Sequence, residues 1–154
     1  MTSLPEKIGI GSVTTQLLPF YSGNVTYSFQ ADQPKDGAMQ LEASYDRGAL
    51  IGVEADGKKR GDIIFPPYRL LIPDLKKGVH EVKLTLFGHR NNSFGPLHMV
   101  NRKERWIGPA AWRTRDQDWC YEYQLSPLGI LKSPEMTFLE ERDKKSDLKS
   151  RFFA

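Results

Sequence analysis

In the stretch NVTYSFQA, residues 24–31, every second side chain is apolar: Val25, Tyr27, Phe29 and Ala31 alternate with Asn24, Thr26, Ser28 and Gln30. Successive side chains of an extended strand point to opposite faces, so this period puts one face in a core and the other in water. A helix turns about 100° per residue and would scatter the same residues around its axis. The pattern returns three times. MQLEASY turns Met39, Leu41, Ala43 and Tyr45 inward, ALIGVEA does so with Ala49, Ile51, Val53 and Ala55, and HEVKLTLF with Val82, Leu84 and Leu86. A chain with this repeated period must bury one face of a sheet.

The residues between these stretches say how the strands connect. Asp56-Gly57 is a pair suited to positive φ at both positions and predicts a tight hairpin, with KRGDIIF as the return strand. Pro66-Pro67 cannot donate to a ladder and ends that strand. YRLLI resumes with Tyr68, Leu70 and Ile72 on one side, and PDLKKG reads as one helical turn capped by Asp74 and ended by Gly78. WCYEYQL predicts a last strand with Trp119, Tyr121, Tyr123 and Leu125 sharing a face. Residues 88–116 show no period, and a loop of that length inside a compact domain is often functional. Six or seven short alternating strands define an all-β, antiparallel β-sandwich. We place this domain at residues 1–131, followed at 132–154 by a C-terminal strand and a charged tail that ends in Phe152 and Phe153.

Composition narrows the partners. A length of 154 residues suits one domain with its own core. The net charge of +3 comes from basic residues interspersed with acidic ones, which argues against a nucleic-acid partner. No apolar run reaches bilayer-spanning length and MTSLPEKIGIGS lacks the layout of a secretory signal, so no membrane partner is expected; the compartment stays open. The single cysteine, Cys120, forms no internal disulfide and reads as a packed thiol. His80, His89 and His98 are too dispersed for a metal site, and nothing in the chain calls for a cofactor.

The order of the motifs PFYSGNVTYSF, VEADGKKRGDIIFPPYRLLIPDLKKGVHEVKLTLFGHRNNSFGPLH and YQLSPLGI resembles the galactose-binding-like, jelly-roll sandwich domains of bacterial glycoside hydrolases, similar to the sugar-binding-type domains of the β-galactosidase and β-glucuronidase families. The resemblance spans roughly residues 18–131. It implies a jelly-roll fold and a non-catalytic accessory role beside a separate catalytic barrel, with neighbouring domains of a longer chain as partners. It also implies that Arg90 and Asn91, in GHRNNSFGPLH, act as a structural latch for the loop.

Sugar recognition needs flat aromatic faces and planar hydrogen-bonding groups. RWIGPAAWRTRDQDW concentrates Trp106, Trp112, Arg113, Arg115 and Asp116, and Asn92 and His98 stand close by in sequence as further candidate contacts. The same tryptophans serve equally as apolar covers folded back over the sandwich end. Glycoside hydrolysis needs two facing carboxyl groups; Glu104, Asp116 and Asp118 show no evident pairing, and no catalytic residue is assigned. The expectation is a non-catalytic accessory domain with weak carbohydrate contact. The alternatives are an independent carbohydrate-binding module and a small self-contained glycoside hydrolase.

Overall fold

The computed structural model describes residues 7–100, 108–112 and 117–140. The described chain is almost entirely β and antiparallel, with one four-residue helix, α1 (Asn91–Phe94), and two 3-10 turns at Val13–Thr15 and Pro109–Trp112. The strands are β1 (Val25–Gln33), β2 (Gly37–Glu42), β3 (Asp46–Arg47), β4 (Leu50–Ala55), β5 (Lys58–Ile63), β6 (Arg69–Leu75), β7 (Gly78–Phe87), β8 (Gly129–Ile130) and β9 (Glu135–Glu140). Among the described residues they form a sheet ordered β1-β7-β4-β5, a second ordered β6-β2-β9, and a short β3-β8 pair.

The alternation read from the sequence becomes rows of side chains across each sheet. In the first sheet the register aligns Val25, Leu86 and Ile51 abreast, then Tyr27, Leu84 and Val53, then Phe29, Val82 and Ala55. In the second it aligns Leu70, Leu41 and Met136, then Ile72, Met39 and Phe138. The buried members of both sets belong to one core cluster, so the sheets face each other as a sandwich. Residues on one face of paired strands stabilise each other directly, and a slip by one residue would turn each row to water. The rows are less covered on the β9 side, where Met136 and Phe138 remain 38% and 37% exposed.

The turns obey local chemistry. Asp56 and Gly57 take φ of 52° and 71°, the hairpin geometry anticipated between β4 and β5. At Gly61, φ is 151° and a Cβ would come within 2.8 Å of Leu70 Cδ1, so glycine is what lets β5 pass close to β6 of the other sheet.

Three expectations fail. PDLKKG is extended: β6 runs through Leu75 and β7 starts at Gly78. Leu75 is buried opposite Gly37, and Asp36 holds the crossing between sheets by accepting from Lys77 N at 2.8 Å and from Lys76 Nζ at 2.9 Å. Core burial of Leu75 overrides the local capping signal. Among the described residues, WCYEYQL forms no ladder beyond a single bridge from Trp119 to Met99. Its irregular backbone bonds run from Cys120 N to His98 O and from Gln124 N to Leu97 O, while Tyr121 and Tyr123 are exposed. Tyr45, expected inward, lies past the end of β2 and is half exposed, with the Arg47 guanidinium over its ring. In the C-terminal segment, β9 is hydrogen-bonded along the full length of β2. The charged tail beyond it, with Phe152 and Phe153, lies outside the described residues.

One tie across the first sheet depends on pH. His80 places Nδ1 2.7 Å from Asp56 Oδ2 and Nε2 2.7 Å from Lys76 O. Both partners can only accept, so both bonds need the imidazolium. The bond to the Lys76 carbonyl and then the Asp56 carboxylate raise the His80 pKa above its ordinary value, and the bond from His80 lowers that of Asp56. A raised histidine pKa contributes stability below the unfolded-state value, about pH 6.5, and loses it as pH rises through the folded-state value; the lowered Asp56 value sets an acid limit below about pH 4. His80→Gln should therefore cost about 1 kcal/mol near pH 5.5, roughly 2–4 °C in Tm. Thermal melts across pH should show the gap closing as pH rises through the raised His80 value; a gap independent of pH would show that the charge plays no part.

Candidate functional site

The segment from β7 to β8 carries most of the chemistry singled out in the sequence, and one asparagine fixes it to the sandwich. Asn92 is fully buried in α1; its Nδ2 donates to Ser126 O and its Oδ1 accepts from Ser126 N, both at 2.8 Å. Both halves of the amide bond Ser126 and the residue is buried, so Asn92 clamps the backbone entering β8 and does not face solvent. Asn91 adds a bond from Nδ2 to Ser126 Oγ at 2.8 Å. Arg90 contributes its carbonyl, which accepts from Ser93 N and Phe94 N and starts the helix, while its side chain is exposed. Of the two residues the motif implied as a latch, Asn91 thus reaches Ser126 through its side chain, and Asn92 adds the pair of bonds to the Ser126 backbone. Replacing Asn92 removes both of its bonds to the part-buried backbone of Ser126, which costs about 1–3 kcal/mol. Asn92→Ala should lower Tm by several degrees and by more than Arg90→Ala in parallel melts; an equal or smaller loss would remove the clamp from Asn92.

Beyond the latch, aromatic rings stack in a chain over the surface. Phe20 meets Tyr123 edge to face at 4.9 Å, Tyr123 meets His98 at 4.8 Å, His98 stacks on Trp119 at 5.0 Å, and Trp119 meets Tyr121 edge to face at 4.5 Å. Such contacts hold rings in order without a sheet. The His98 ring is oriented by Nδ1 donating to Cys120 O at 2.8 Å. Tyr121 is 88% exposed, and Trp112, at the end of its 3-10 turn, is 51% exposed. Among the sequence candidates the structure therefore puts His98 inside a ring stack and Trp112 at the surface. Trp106, Arg113, Arg115 and Asp116, together with Glu104, lie outside the described residues.

Sequence reading missed a cleft of about 480 Å³ at the end of the sandwich, where the loops β3–β4, β5–β6 and β7–α1 converge on the entry to β8. Asp46, Arg47, Ile64, Tyr68, His89 and Ser126 are among the residues lining it. Burial pushes the Asp46 carboxyl above the usual carboxylate range, although the Gly48 N–H and the Arg47 charge oppose this. These residues are scattered from 46 to 127, and pairings between distant strands gather them: β3 with β8, Asp46 opposite Ile130 and Arg47 opposite Gly129, and β4 with β5 and β7. No local motif signals such a site. Among the described residues no cluster of histidine, cysteine and carboxylate side chains is suited to a metal.

Solved structures share this fold. A rhamnosidase from Novosphingobium sp. PP1Y superposes with a TM-score of 0.58 at 20% identity, over 82% of this chain and 12% of its own. A GH2 β-galacturonidase from Eisenbergiella tayi superposes with TM-scores of 0.50 in its galacturonate-bound structure and 0.51 in its glycerol-bound structure, each at 21% identity, over 84% of this chain and 19% of its own. No protein-family model matches the chain, and no curated protein matches it in sequence. The likeness is one of fold, and the chain spans less than a fifth of the length of these glycosidases.

Proposed function

We propose that the chain is a non-catalytic β-sandwich unit, jelly-roll and galactose-binding-like, belonging to a larger glycoside hydrolase-like protein, where it packs against neighbouring domains and makes weak carbohydrate contact. The observation that carries this reading is the proportion of the structural match. Most of this chain superposes on a small part of each glycosidase, so the shared fold corresponds to one building block of a multidomain protein. The row of rings from Phe20 to Tyr121 supports the packing role. Large exposed aromatics held in fixed order suit a contact face, and tyrosine tolerates both apolar and polar surroundings.

Two measurements test it. The natural reading frame should encode, beside this region, a further region large enough for a catalytic barrel. The purified chain should not cleave aryl glycosides of hexoses, pentoses or uronic acids. A reading frame holding this domain alone, or turnover by the isolated chain, overturns the proposal and favours a self-contained enzyme or an independent module.

The half-exposed indole of Trp112 favours some carbohydrate contact on the long loop. A single stacking contact with water-competed hydrogen bonds supports only weak affinity, on the order of 0.1 to 1 mM for a short oligosaccharide. Calorimetry against a glycan panel should detect such binding and should lose it in Trp112→Ala; unchanged binding in that variant excludes this loop as the contact.

A further inference from the structure

Each sheet of the sandwich ends in a strand with one free edge. Among the described residues β1 is paired only with β7 and β9 only with β2, so β1 closes the first sheet and β9 the second. A cavity of about 410 Å³ lies where these two edge strands come together. Its apolar lining consists of Ile8 and Ile10, Tyr27 and Phe29 of β1, and Pro134 and Met136 around the start of β9. Tyr27 and Phe29 pack against the core yet are only partly buried. Ile10, Met136 and Phe138 are each more than a third exposed, although Met136 and Phe138 stand in rows whose members on β2 are wholly buried. The sandwich is therefore open along this seam, and the surface left uncovered there is continuous with its core.

At Glu140, β9 leads directly into residues 141–154. Most of that segment is charged, and its large apolar side chains are Leu148, Phe152 and Phe153. Phe152 stands twelve positions beyond Glu140, a reach of about 40 Å for extended chain. Pro134 lies six positions back from Glu140, about 20 Å along a strand. We propose that residues 148–153 fold back over the seam and seat Phe152 and Phe153 against Ile10, Phe29 and Met136, closing the open side of the sandwich. The tether decides the occupant. A segment joined to one wall of the cavity is present there at an effective concentration in the millimolar range, so weak apolar contact suffices to hold it, whereas a separate peptide loses its translational freedom on binding. An apolar lining also selects rings over charges, which leaves the charged residues between Glu140 and Leu148 to cross in water. This inference is independent of the carbohydrate and accessory-domain readings.

The test is NMR of the full chain labelled at its isoleucine and methionine methyl groups, compared with the double variant Phe152→Ser, Phe153→Ser across a dilution series. Docked phenylalanine rings should shift the Ile8, Ile10 and Met136 methyl signals. The double variant should lose those shifts with the rest of the spectrum unchanged, and Phe152→Leu, Phe153→Leu should keep the segment docked, with weaker protection of Met136 from oxidation than in the parent chain but stronger than in the serine variant. Methyl signals identical in the parent and serine variant would overturn the proposal. Shifts that vanish on dilution would overturn it in favour of a second copy of the chain, and shifts removed by Leu4→Ser but not by the phenylalanine substitutions would overturn it in favour of residues 1–6.

Discussion

Strand β7 carries the fold. It is hydrogen-bonded to β1 along one edge and to β4 along the other, and its inward residues Val82, Leu84 and Leu86 are wholly excluded from water. Each of the three sits in the middle of a row, flanked by an inward residue of each neighbour. Because side chains alternate strictly along a strand, those three positions fix the register of β1 and β4, and through the Asp56-Gly57 turn that of β5. The loops that form the cleft start from the ends of these same strands. A cavity-forming change at Leu84 would therefore disturb the cleft end of the molecule as well as its core.

The two regions of chemical interest are supported differently. The cleft draws on short, well-anchored segments at strand ends, and the buried Asn92 clamp makes its far wall part of the sandwich. The aromatic row is held by ring contacts and by a few irregular backbone bonds between residues 97–100 and 118–124. A cleft with preset polar groups suits selection of a small ligand, since little order has to be imposed on binding. A row of exposed rings suits a broad contact with another folded surface. The two regions therefore differ in how much order they hold before any contact is made.

Period two made β1, β2, β4 and β7 legible, because burial of one face leaves a direct mark on the order of residues. It misled at WCYEYQL, where Trp119, Tyr121 and Tyr123 alternate for the sake of ring stacking and leave two tyrosines in solvent. At PDLKKG the capping signal of Asp74 and Gly78 was overruled, because Leu75 has a place in the core. Around the latch motif the burial of Asn92 was not legible, since neighbouring asparagines carry the same groups and only the fold places Asn92 inside, where it bonds the Ser126 backbone while Asn91 bonds the Ser126 hydroxyl. The cleft was not legible. Asp46, His89 and Ser126 come together through pairings between distant strands, and such pairings leave no periodic trace.

Strand β9 completes the second sheet by pairing residues 135–140 with residues 37–42, partners from opposite ends of the described chain. During synthesis Met39 and Leu41 emerge early, and the strand that lies beside them emerges only after the whole of the first sheet has been made. Closing so long a loop is an entropic cost met late, which slows folding in proportion to the separation of the contacts. Until then an edge of β2 with an apolar face waits unpaired on the nascent chain. Among the described strands, the order of elements thus leaves the pairing of β9 with β2 until residues 135–140 have emerged from the ribosome.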